Sequence, residues 1–79
     1  MGEIMASFDS MTFLTENFPD RGKIRGRLRE VGVAILPDDE TIRKWFKREK
    51  VSDGQVLNLL FCLEQERGGP VSLAPYFKE

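Results

Sequence analysis

The chain has no histidine and a single cysteine among its 79 residues. Without histidine, neither a Cys/His metal site nor an imidazole general base is open to it. Cys62 alone cannot close an internal disulfide, which fits a reducing cytoplasm and excludes a secreted disulfide scaffold. Long hydrophobic runs are missing too: the longest, Leu59 to Leu63, is far too short to span a bilayer. The opening MGEIMASF has neither a basic stretch nor a long apolar segment, so no signal peptide is expected. Glycine never takes the pattern of a phosphate loop, because Gly68-Gly69 runs into Pro70 and reads as a helix terminator. What remains is one cytosolic domain, residues 1–79, near the lower size limit for a chain that folds on a single core. Neither a membrane, a cofactor, a metal nor a small-molecule substrate is expected.

Charge is present in quantity and unevenly placed. Residues 21–50 hold ten Lys/Arg against five Asp/Glu, a local charge of +5, while the rest of the chain carries two basic and eight acidic groups, or −6. A polyanion would therefore meet a cationic middle on an otherwise acidic body. The plainer alternative is a pair of solvated helix faces. The only tryptophan, Trp45, sits inside the most basic stretch, TIRKWFKREK at 41–50.

The pattern of apolar residues predicts an all-α fold of four helices. A first helix over about 9–17 begins at Asp9 or Ser10 and ends before Pro19, since the residue preceding a proline disfavours the helical region. A second, over about 21–31, carries Ile24, Leu28 and Val31 as a narrow buried stripe and stops at Gly32, which supplies a left-handed residue. Arg21, Arg25 and Arg29 share another of its faces. Asp38 reads as the N-cap of a third helix reaching Arg48, with Asp39 and Glu40 in a first turn where the helix dipole favours acids. Its set Ile42, Trp45 and Phe46 faces the core, so Arg43, Lys44, Lys47 and Arg48 face outward. Ser52 to Gln55 spells a capping box flanked by Val51 and Val56, which opens a leucine-rich helix over 52–67. That helix is apolar most of the way round, and Leu57 and Phe61 find no evident partner in so small a core. Residues 1–8 are expected to be flexible, and residues 70–79 to form an extended tail with Tyr76 and Phe77 as aromatic anchors.

In order and spacing, several of these segments together resemble a known family. Val31-Gly32-Val33, then Thr41-Ile42-Arg43-Lys44-Trp45, then Lys50-Val51-Ser52-Asp53, then the leucine-rich Leu57 to Glu64, and finally Gly68-Gly69-Pro70-Val71-Ser72 with Tyr76 look like small phage regulators of the Cro, CII and YdaS type. The resemblance covers about fifty residues. It implies a helix-turn-helix whose third helix, about 38–48, lies in the major groove of double-stranded DNA. Thr41, Arg43, Lys44 and Lys47 would then face base edges, while Arg25, Arg29, Arg48 and Lys50 grip phosphates. It also implies a homodimer that matches paired half-sites, with Leu57, Phe61, Tyr76 and Phe77 at the subunit interface.

A second function competes: a small protein-binding module, such as an antitoxin or a phage-type inhibitor, using helix 52–67 and the acidic surfaces. Catalysis has little support, because Asp38, Asp39, Glu40 and Cys62 read better as a helix start and a core thiol.

Overall fold

A computed structural model describes residues 7–78. A short strand β1 (Ser7–Phe8) leads into α1 (Ser10–Asn17), and a 3-10 turn (Arg21–Lys23) leads into α2 (Ile24–Glu30). Helices α3 (Asp39–Arg48) and α4 (Asp53–Arg67) follow, and a second 3-10 turn (Ala74–Tyr76) precedes strand β2 (Phe77–Lys78). The fold is all-α with four helices, to which the sequence pattern adds no hint of the small antiparallel sheet. No described helix is long and apolar enough to cross a membrane.

Local chemistry sets the ends of each helix. Asp9 caps α1 by accepting from the Thr12 N–H (3.0 Å) and the Thr12 hydroxyl (2.7 Å). Helix α2 ends in a left-handed Gly32 (φ +91°), where the Gly32 and Val33 N–H groups donate to the carbonyls of Arg29 and Leu28. This two-bond closure satisfies carbonyls that the helix end would otherwise orphan. Asp38 caps α3 through the Thr41 N–H at 2.7 Å. Ser52 stands at the N-cap of α4 as expected, yet its side chain makes no capping bond, so the capping box is not closed. The second helix also differs from expectation at its start, where residues 21–23 wind as a 3-10 turn around the Asp20 carboxylate, which accepts from the Gly22 N–H.

One core joins all four helices. Phe13, Leu14 and Phe18 from α1 and the residue after it meet Ile24 and Leu28 of α2, Ile42 and Trp45 of α3, and Val56, Leu59, Cys62 and Leu63 of α4. The buried Ser10 hydroxyl accepts from the Val51 N–H (3.0 Å) and so ties α1 to the link between α3 and α4. Arg27 bridges α2 to α4 by a paired contact with Glu66 (2.5 and 2.9 Å), and its guanidinium also lies 4.2 Å from the centre of the Phe18 ring. Burial pushes the Cys62 thiol up to about 11, as a core thiol should behave.

The two chain ends meet. Ser7 and Phe8, at the end of the segment expected to be flexible, pair with Lys78 and Phe77; residues 1–6 of that segment lie outside the described residues. The tail carries one turn at Ala74–Tyr76 before its extended end at Phe77–Lys78. It turns through 3-10 geometry, where Pro75 fixes the backbone, and folds back so that Phe8, Phe13, Tyr76 and Phe77 form an aromatic cluster with neighbouring centroids 5.2 to 6.4 Å apart. Hydrophobic packing of these rings holds a sheet too short to stand alone.

Candidate functional site

Helix α3 presents its basic residues because its other face is anchored. Ile42 and Trp45 are 3% and 4% exposed, which fixes the helix about its own axis. Arg43, Lys44, Lys47 and Arg48 are all exposed, and Thr41 is half-buried. After Arg48 the chain turns through Glu49, a non-glycine residue in the left-handed region (φ 54°), and the Lys50 N–H closes onto the Trp45 carbonyl at 3.1 Å. This turn brings Lys50 and Ser52 beside α3.

Two shallow clefts result. One, of about 370 Å³, is lined by Thr41, Lys44, Trp45, Arg48, Lys50 and Ser52. Its neighbour, of about 350 Å³, is lined by Glu40, Arg43, Lys44, Lys47 and Arg48. Lys44 and Arg48, one turn apart, form the wall between them.

The acids at the start of α3 are largely engaged. Glu40 accepts both of its contacts from the Arg43 guanidinium (2.5 and 2.7 Å), and this bonding holds the Glu40 carboxyl below its ordinary value and raises Arg43 above its own. Hydrogen bonding from Thr41, by side chain and backbone, lowers Asp38, with smaller help from the charges of Lys44 and Arg25. Among the described residues, Lys44, Lys47, Arg48 and Lys50 make no ion pair.

Thr41, Arg43, Lys44, Lys47, Arg48 and Lys50 are thus brought together, and Arg25 and Arg29 are not part of either cleft. Arg25 is half-buried and spends its Nε on the Pro37 carbonyl at 2.8 Å, bracing the connector before α3. Arg29 is exposed on α2. The segment from Val31 to Asp38 separates α2 from α3, so the connection is longer than a tight turn. Sequence reasoning missed Ser52 as a cleft residue and Arg21, whose guanidinium sits 4.9 Å from the Phe46 ring centre on the flank of α3. Helical spacing within one segment carries no signal for either contact.

The residues assigned to a subunit interface separate into two groups. Leu57 and Phe61 are 64% and 43% exposed on α4, uncovered by the tail. Ile35, not singled out by the sequence, is 80% exposed and shares a shallow groove with Phe61, Val33, Ala34 and Asn58. Tyr76 is committed within its own chain: its ring meets Phe13 edge-on, its hydroxyl accepts from Asn17 (3.1 Å), and its carbonyl accepts from the Asp9 N–H (2.7 Å). Phe77 packs one side of its ring on Phe8 and leaves about half of its surface exposed. Within one chain, then, neither aromatic covers Leu57 or Phe61.

No group of acids and cysteine suited to a metal ion occurs among the described residues. No protein-family model, curated protein or solved structure matches the chain.

Proposed function

We propose that the protein is a DNA-binding transcriptional regulator of the phage-repressor type, acting as a cytoplasmic homodimer with α3 as its reading helix. One observation carries this: Lys44, Lys47 and Arg48 stand exposed on a helix seated by Ile42 and Trp45, Lys50 follows just beyond its end, and none of the four has an acidic partner among the described residues. Cations left unpaired on a rigid element cost self-repulsion, and a duplex with one negative charge per ~1.7 Å relieves it. Helix α2 and its long connector complete a helix-turn-helix of unusual loop length. The acids at the head of α3 do not oppose docking as strongly as their number suggests, because the Asp38 carboxylate is engaged in capping α3 and Glu40 is paired with Arg43, which leaves Asp39 as the unengaged acid of the three among the described residues. Fluorescence anisotropy with a random duplex between about 50 and 200 mM salt tests the proposal, since each phosphate contact contributes a slope near −0.9 in log K against log salt. Binding at low salt with a slope of several units is expected; no retention at the lowest salt overturns it.

A second function has its own support. Ile35, Leu57 and Phe61 form an exposed apolar patch, and such patches mark protein contacts. A chain that sediments as a monomer and ignores duplex would be a protein-binding module working through helix 52–67.

A further inference from the structure

We infer that the cleft between the end of α3 and the start of α4 is a phosphate site, in which Lys44, Arg48 and Lys50, with the Ser52 hydroxyl, close on a phosphate group of the nucleic-acid backbone. The inference rests on the DNA-binding function proposed above and reassigns roles within it. Lys44 moves from base reading to backbone contact, and Ser52 joins it.

The geometry begins with the left-handed turn at Glu49. Had α3 continued, position 50 would lie about 200° around the helix from position 48, at about 100° per residue. The turn instead brings Lys50 to the rim that Lys44 and Arg48 already occupy. Three cations therefore converge on one concavity, and no carboxylate lines it. The neighbouring cleft differs in this respect, because Glu40 lines it and holds Arg43. Ser52 completes the rim with a hydroxyl that is not spent on capping α4. Trp45 forms part of the lining but is 4% exposed, so it cannot offer a ring face for a base to stack on. Converging point charges with a hydroxyl donor suit a tetrahedral oxyanion, whereas base recognition needs donors and acceptors in a planar, directional array. Base contacts by α3 then fall to the Arg43 and Lys47 side.

The test uses the full chain and three proteins: wild type, the double variant Arg48→Gln/Lys50→Gln, and Lys50→Arg. Each is titrated with duplexes of several unrelated sequences and, separately, with inorganic pyrophosphate, following backbone amide shifts at 41–52 and the Trp45 indole. The expected result is a double variant that loses affinity equally on every duplex, with a salt slope smaller by up to about one, the share of a single phosphate, while Lys50→Arg behaves as wild type. Wild-type duplex binding with a slope that the double variant leaves unchanged overturns the phosphate site and leaves DNA binding standing. A loss confined to one sequence overturns it as well, by making the cleft a base reader. Cleft shifts with pyrophosphate but no response to duplex keep the phosphate site, assign it to a free phosphorylated ligand and remove the DNA-binding function. Silence toward both removes both.

Discussion

Single side chains decide how much of the basic face is usable. If α3 reads DNA as proposed, Arg43 must leave Glu40 before it can reach a base, and because that pair is exposed its strength is modest. Glu40→Gln should therefore raise duplex affinity several-fold at low salt without altering the fold, and Lys44→Glu should lower it more than Arg43→Glu does. Anisotropy titrations on proteins with matching circular dichroism check the order; a weaker Glu40→Gln variant would show that the pair positions Arg43 instead of withholding it. Trp45 acts differently, through packing. Trp45→Ala removes a buried aromatic at a cost of about 3–5 kcal/mol, comparable with the whole stability of a small domain. Loss of the cooperative thermal melt is expected, and a near-native melting temperature would place the indole at the surface. The burial of Ile42 and Trp45 was legible from their spacing alone. The engagement of Arg25 by Pro37 and of Tyr76 by Phe13 was not, because both depend on where a distant segment passes.

At the level of elements, helix ends were the most readable features. Asp9, Asp38, Gly32 and Gly68 all stand where cap chemistry puts them. Ser52 shows the limit of such rules: the residue takes the cap position while its hydroxyl stays out of the bond. Both strands were invisible, since two residues cannot display a period and their pairing depends on ends far apart in the chain. The cap of α1 carries a pH signature. Hydrogen bonding to Lys78, and then to Thr12, holds the Asp9 carboxyl well below the carboxylate range. A depressed folded-state value means that its stabilisation is fully present above the unfolded value of about 3.9 and drains away as pH falls below it. Asp9→Asn should thus melt earlier than wild type near neutrality, and the gap should narrow as pH drops from about 5 to about 2. A gap that stays constant over that range would show that Asp9 contributes through shape and not through charge.

Across the whole molecule, two surfaces are set apart: the cationic clefts of α3 and the apolar patch of Ile35, Leu57 and Phe61. If the patch joins two copies, Leu57→Glu with Phe61→Glu should give a folded monomer with greatly weakened specific DNA binding. Sedimentation at tens of micromolar decides it, because a wild-type monomer removes the two-fold assembly and a collapsed variant returns both residues to the core. Tyr76 takes no part in this expectation, having found its partners in its own chain. The pairing of the chain ends has a consequence of another kind, in the order of events during folding. Ser7 and Lys78 are 71 positions apart, so their contact closes the largest loop in the described chain, whereas the helices close loops of a few residues. Loop entropy must be overcome before so distant a contact gives anything back. The terminal clasp therefore forms after the barrier, and weakening it shortens the lifetime of the native state while leaving the rate of folding almost untouched.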